Sequence, residues 1–585
     1  MVPVLLAVLS VLPPAAAEKS TADNPHRAVI LDLSARNRTG STELTALTHC
    51  FDIFAIQYTV TESVDAAFLS PLVFTAGDLR NTTFTPGELQ KLYSYVENGG
   101  VLVSQVVIGN KLFPLFGIKD ISDSRSRYSI TFADRSLDPV LSYIDRPEET
   151  TVSIGNPKIY RENIWTHAFT VTDAKPLASA DGRTVFAVNQ YGEGLAYALG
   201  VSLSDTVLLP HVGNDFEAQR AWINSFEPGA DVFLLLMKAA YEKYTKPSVS
   251  VSAIPGGKRT ALMLTHDVDA QDSFPNMVEY AALEKRFGVS GTYFITTKYF
   301  TDASDRGYYD ARGVEYTRKV KELGGEIGSH TVSHSIVLEK FPVGSPSVTQ
   351  QSYRPLTAPT VFGEVTVSKE LLDRDMGQNT VSYRSGYLRY PEKLVDVLEK
   401  SGYLYDSSFS ADDIMTNFAY RAFRIRGVGS APSSVIEIPV IFDDSQGLLT
   451  PKNMKELVAK WVDVIEANAG NGAISTLLIH PSETGHKLEA EERLLSQLSG
   501  KDIWIGNISQ YGDFWKARNA CRYETNLSGS VLTVKIISGK ADERLCFVVG
   551  SLPAGCTVRL VDEKNREIPS VQANEGGKTL LRVRK

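Results

Sequence analysis

Leu264-Thr265-His266-Asp267-Val268-Asp269 continues an apolar run that begins at Ala261-Leu262-Met263 and ends on two aspartates. A buried strand that stops at carboxylates suggests a site built at the C-terminal end of a parallel sheet. Further on, Gly328-Ser329-His330-Thr331-Val332-Ser333-His334 repeats the pattern, an apolar stretch delivering two histidines at i and i+4. A single Arg384 and a single His480 follow. Carboxylate pair, histidine pair, cation and distant histidine together can hold one divalent ion with an open position, a base, a cation to orient that base, and an acid. These are the parts that metal-assisted hydrolysis of an amide or ester needs.

Outward from these residues, strand and helix patterns alternate over 259–515. Strands are expected at Ala261 to Thr265, Ser290 to Thr296, Val435 to Val440 and Ile474 to His480. Helices are expected near Asn276 to Phe287, Tyr316 to Leu323, Pro391 to Ser401 and Asn453 to Ala467. Repeated βα units of this length predict an α/β fold of the TIM-like (β/α) barrel type, complete or incomplete. Asp267, Asp269, His330, Arg384 and His480 each fall at or just past a strand end, where such barrels carry their chemistry.

The 585 residues, 43% hydrophobic, are enough for two to four domains. Ahead of the barrel, 26–250 also alternates strand and helix. Thr85-Pro86-Gly87-Glu88 reads as a helix start with Thr85 as N-cap and Pro86 at the first position, and the helix stops at Gly99-Gly100 before the strand Val101 to Val107. This order predicts a doubly wound parallel sheet. Tyr244 to Lys258, with its Pro, Ser and Gly, reads as a boundary. The tail, 522–585, turns to short alternating runs such as Val531 to Ile536 and Thr557 to Val561, which predict a small antiparallel β-sandwich.

A net charge of -8 gives no basic face for phosphates, so no nucleic-acid partner is expected. Residues 1–17 run apolar from Val2 to Leu9 and end in Ala15-Ala16-Ala17, which predicts a secretory signal peptide and a secreted or periplasmic location. No later segment is apolar for long enough to span a bilayer. Of four cysteines, Cys521, Cys546 and Cys556 lie in the last 65 residues, where one disulfide would suit an exported chain. Between Cys50 and Cys521 there is none, so no thiolate serves the site.

In order along the chain, five motifs resemble those of the polysaccharide deacetylases, the NodB-homology or carbohydrate esterase 4-like group. They are Thr265-His266-Asp267-Val268-Asp269, His330-Thr331-Val332-Ser333-His334, Arg384-Ser385-Gly386-Tyr387, Asp406-Ser407-Ser408-Phe409 and Leu478-Ile479-His480-Pro481. The resemblance, with the chemistry of the side chains, assigns one divalent ion, zinc above others, to Asp269, His330 and His334. Asp267 would be the general base, held by Arg384, and His480 the general acid, its tautomer fixed by Asp406. The backbone N–H of Tyr387 would help receive the oxyanion. The sequence departs from the family pattern at Val268, which separates two usually adjacent aspartates, at Gly386 in place of proline, and at Phe409 in place of tryptophan. The segment 26–250 loosely resembles glutamine amidotransferase-like domains around Leu72 to Val107 and Tyr191 to Leu195. It lacks their cysteine nucleophile, so an accessory role is expected. The implied activity is N-deacetylation of an acetylated glycan polymer by an exported enzyme, with glycan contacts open to the flanking domains. The alternatives are a non-catalytic glycan-binding module, or a metal-dependent hydrolase of an acetyl ester or small cyclic amide.

Overall fold

A computed structural model describes residues 26–37, 42–158, 163–212, 224–226, 228–303, 305–409, 416–444 and 448–584. The expected signal peptide, 1–17, lies outside the described residues.

The site is carried by a parallel sheet whose strands are β1 (Thr260–Val268), β2 (Thr292–Ile295), β3 (Glu326–Ser329), β4 (Ser382–Tyr383), β5 (Tyr405–Asp406), β6 (Pro432–Glu437), β7 (Phe442–Asp443) and β8 (Ile474–Ile479). Parallel pairing runs from β1 through β6 in order, and β8 lies on the other side of β1 with β7 beyond it. The strands β6 and β7 belong to one extended run. Ile438 N–H donates to Asp406 O at 2.8 Å on one side, and Ile441 N–H to Thr476 O at 3.1 Å on the other. The sheet therefore curls back towards itself. An antiparallel strand, Tyr420–Phe423, pairs outside β6, and Ile503–Gly506 pairs with the first half of β1.

All nine residues of β1 are buried, as expected of a parallel strand covered on both faces. Alternation decides what each does. Ala261 and Met263 join an interior cluster with Phe294, Tyr405 and Ile438, whereas Leu262, Leu264 and Val268 face the helices. The covering helices include α1 (Ser273–Phe287), α2 (Ala311–Leu323), α3 (Val361–Met376), α4 (Met454–Asn471) and α5 (His486–Leu498). The caps α2 and α3 use are local: the Asp310 carboxylate accepts from Arg312 and Gly313 N–H, and the Thr360 hydroxyl from Gly363 N–H. The helix α3 was not foreseen.

In the N-terminal sheet the strands Tyr58–Thr61, Ala28–Asp32, Leu72–Ala76, Val101–Gln105 and Gly194–Leu199 run parallel in that spatial order. The helix Pro86–Glu97 begins with a complete Thr85–Glu88 capping box. Beyond Gly194–Leu199 the sheet continues antiparallel through Arg183–Tyr191 and Lys175–Ala180, so it is mixed rather than wholly parallel.

The tail forms two sheets around one apolar cluster that includes Leu532, Val534, Phe547 and Leu581. Two features differ from expectation. Val531–Ser538 pairs with Thr557–Val561 in parallel, not antiparallel. Ser248–Val251, expected to be a boundary segment, pairs with Cys546–Gly550 and supplies an edge strand. Val249 and Val251 bury their side chains in the tail's core, which explains why the chain passes there before entering the barrel. All four cysteines are free thiols. Cys521 caps the helix Ile508–Ala520, Cys546 opens the strand Cys546–Gly550 and Cys556 precedes the strand Thr557–Val561, and none of them is paired, so the expected disulfide is not made.

Candidate active site

Thr265 and Asp267 point from β1 into the mouth of the barrel, where Arg384, just past β4, meets both. One Arg384 Nη1 donates to Asp267 Oδ1 at 2.9 Å and to Thr265 Oγ1 at 2.8 Å. Its Nε donates to Ser407 O at 2.9 Å and its Nη2 to Ser407 Oγ at 2.8 Å. The guanidinium is fully buried and lies over the Phe294 ring, 4.5 Å from its centroid. A buried cation is tolerable only when its donors are used this fully. Burial pushes the Asp267 carboxyl up, but Arg384, then His330 and His480, pull it further down, and the balance lies below the ordinary carboxylate range. Asp267 is therefore ionised and aimed, as a base must be.

His330 follows β3 directly, and Thr331 and His334 hold left-handed backbone at φ 66° and 50°. Non-glycine residues persist there only where neighbours fix them. The Glu364 carboxylate on α3 does so, accepting from Val332 N–H at 3.0 Å and Ser333 N–H at 2.7 Å, while Thr331 Oγ1 accepts from His334 N–H at 3.1 Å. His330 Nδ1 donates to Arg384 O at 2.9 Å, which leaves Nε2 as an open lone pair. That Nε2 lies 3.6 Å from Asp267 Oδ2. His334 Nε2 lies 3.8 Å from Asp269 Oδ2. Burial lowers both imidazoles, His334 to about 4, with the proximity of His330 adding to the effect on His334. Two neutral imidazoles and a carboxylate whose ion-pair partners among the described residues are histidines are the donor types a divalent first-row ion takes, although the ligand atoms of Asp269, His330 and His334 do not all lie within 4.8 Å of one another. The 3.8 Å separation is a few tenths wider than the spacing of about 3.3 Å between tetrahedral ligand atoms.

His480, at the end of β8, is gripped by Asp444. Its Nδ1 lies 2.6 Å from Asp444 Oδ1, and its backbone N–H lies 3.2 and 3.1 Å from the two carboxylate oxygens. Lys487 Nζ completes the group at 2.8 Å from Asp444 Oδ2. Burial lowers the imidazole, but Asp444 outweighs it and lifts His480 to about 10, so the ring carries its proton. Its Nε2 faces Asp269 Oδ2 at 3.8 Å. Asp443, Asp444 and His480 also lie close enough to resemble a cation site, yet Asp444 is already committed to His480 and Lys487.

The expectation that Asp406 holds His480 is therefore corrected. Asp406 accepts from Ser408 Oγ at 2.5 Å, and Ser408 Oγ in turn accepts from Ser385 N–H at 2.9 Å. It braces the turn that carries Arg384, on the far side of the sheet from β8. Tyr387 stands on this turn with φ 54°, its ring half exposed and 4.4 Å from the His334 ring. A Cβ on Gly386 would sit 2.8 Å from His334 Cδ2, so the residue that replaces proline is one that leaves room for the His334 imidazole. Phe409 is buried edge-on against Tyr390 and Tyr420.

The structure thus brings Asp267, Asp269, His330, His334, Arg384 and His480 together, with Tyr387 on the rim. Asp444 and Glu364 were missed. Asp444 follows a two-residue strand, and its only sequence signal is an apolar run, Ile438 to Phe442, that ends in two aspartates as β1 does. Three other histidines lie elsewhere: His211 stacks on Tyr420, His486 faces Leu449 O, and His266 is buried against Glu284.

Residues 238–405 match the family model for polysaccharide deacetylases. No curated protein matches the chain. Among solved structures, a candidate polysaccharide deacetylase from Mycobacterium smegmatis is similar at 20% identity and a TM-score of 0.35, covering 47% of this chain and 95% of its own. The peptidoglycan deacetylase PdaC from Bacillus subtilis is similar at 15% identity and 0.27, covering 46% and 96%. A CE4 family pseudoenzyme from Bacillus anthracis is similar at 13% identity and 0.27, covering 46% and 68%.

Proposed function

We propose that the chain is an exported, metal-dependent hydrolase that removes N-acetyl groups from a polysaccharide containing N-acetylhexosamine. One observation carries the reading: at the strand ends around Asp269, His330 and His334, Arg384 grips Asp267 and so favours its ionised form, while Asp444 grips His480 and so favours its protonated form. Two groups driven to opposite protonation states in one cleft are an assignment of base and acid.

Asp269, His330 and His334 would hold the ion, most simply zinc. Bound there, the ion supplies an acidified water and a Lewis acid for the acetyl carbonyl. The chain's own residues do the rest. Asp267 takes the proton of the attacking water, and Arg384 keeps that carboxylate charged and oriented through the bond to Oδ1. His480 delivers its Nε2 proton to the leaving amine, and Asp444 holds the ring by Nδ1 so that Nε2 points at the substrate. The backbone N–H of Tyr387 would stabilise the oxyanion, and its exposed ring offers a face for a sugar. No helix among the described residues is long and apolar enough to cross a membrane.

The direct experiment is acetate release from a panel of defined acetylated oligosaccharides, with and without chelator. Chelator-sensitive release supports the reading. Glycan binding without release would leave the non-catalytic module in its place.

A further inference from the structure

Consecutive residues of a strand face opposite ways. Asp267 turns into the barrel, and His266 turns outward, between α1 and α5. There His266 Nε2 lies 3.0 Å from Glu284 Oε1 and 3.7 Å from Glu491 Oε2. The three side chains are at most 1% exposed, and one ligand atom from each lies within 4.8 Å of the others. The tyrosines Tyr293 and Tyr280 wall the group, their rings 4.6 and 5.1 Å from the imidazole.

The polar atoms of the group are not all satisfied. Glu284 Oε2 is satisfied by Gly291 N–H at 2.9 Å and the Tyr293 hydroxyl at 3.0 Å. Neither oxygen of Glu491 has a hydrogen-bond donor, and His266 Nδ1 has no partner. Among the described residues, His266 is the ion-pair partner of both glutamates. Burial, with Glu284 beside it, lifts the Glu491 carboxyl to about 8, so a proton on Glu491 can balance the charge. No proton supplies the partners that His266 Nδ1 and both Glu491 oxygens lack, and unpartnered buried polar atoms are costly.

We propose that His266, Glu284 and Glu491 form a second divalent-cation site, structural in role and separate from the strand-end centre. One nitrogen and two carboxylates are the donor set of zinc and its first-row neighbours. The separations of 3.0 and 3.7 Å bracket the spacing of about 3.3 Å expected of tetrahedral ligands. A divalent ion against two carboxylates and a neutral imidazole leaves no net charge in the core. The ion ties β1 to α1 and α5, behind the strand that delivers Asp267 and Asp269.

The test is the metal content of the full chain by elemental mass spectrometry in the variant His330→Ala/His334→Ala, which lacks two ligands of the strand-end centre. One equivalent should remain, and adding Glu491→Gln should remove it. Stripping the double variant should lower its melting temperature, and zinc should restore it. Should the triple variant fail to accumulate, X-ray absorption on the double variant decides, with one imidazole among oxygen neighbours as the expected shell. A metal-free double variant would overturn the proposal and leave the trio sharing a proton. An equivalent that survives Glu491→Gln, or a shell with no imidazole or with several, would overturn it by placing the ion elsewhere. None of these outcomes bears on whether the wild type releases acetate, so the two readings fail separately.

Discussion

Asp444 holds His480 at two points, ring Nδ1 and backbone N–H, so the imidazole is fixed in position as well as charged. Asp444→Asn should leave the barrel folded and lower amide turnover by roughly 10²–10⁴-fold, the usual worth of a positioned acid. The sign of the pH effect follows from the cause. Burial alone lowers His480 and Asp444 raises it to about 10, so the acid form persists into alkaline solution in the wild type. Without the carboxylate charge, the alkaline limb of the rate profile should move to lower pH. A profile with an unmoved limb would show that another group sets it.

Asp267→Asn should abolish turnover and leave the strand-end ion bound, because Asp267 is the base and Asp269 the ligand. Metal analysis beside an activity assay checks both. Loss of that ion would mean that the two aspartates flanking Val268 exchange roles.

Arg384→Met should cost about 3–5 kcal/mol of stability in urea, since it strands a buried Asp267 carboxylate. Arg384→Lys should fail to rescue activity, because an ammonium cannot span Asp267, Thr265 and Ser407 from one planar group. Full activity in the lysine variant would reduce the role of Arg384 to simple charge.

Gly386→Ala places a methyl 2.8 Å from His334 Cδ2. The imidazole must shift, and affinity for the strand-end ion should fall by about 10–100-fold, as for other changes to the surroundings of a ligand. Titration of metal-stripped protein measures this. Unchanged affinity would indicate that His334 is not a ligand or that the turn yields freely.

The strand-end residues were legible because buried parallel strands read as apolar runs, and Asp267, His330 and His480 interrupt or end such runs. Helix ends were legible where a cap is local, as at Thr85 and Glu88. Asp444 was not, since its strand has two residues and its partnership with His480 is made across the sheet. Asp406 attracted the role because it stands at a strand end and in a motif. The structure shows that β5 and β8 are separated by the run of β6 and β7, which delivers Asp444 instead. The mixed N-terminal sheet and the strand Ser248–Val251 were hidden for a similar reason: pairing direction and long-range partners leave no mark on local periodicity.

The most direct measurement compares wild type and His480→Ala on two substrates at one pH, an N-acetylated oligosaccharide and an aryl acetate. An amine needs a proton to leave and an aryl oxide does not. The account predicts that amide cleavage falls by roughly 10²–10⁴-fold while aryl ester cleavage falls far less. Equal losses on both would contradict it, and would make His480 a residue that places the metal or the substrate.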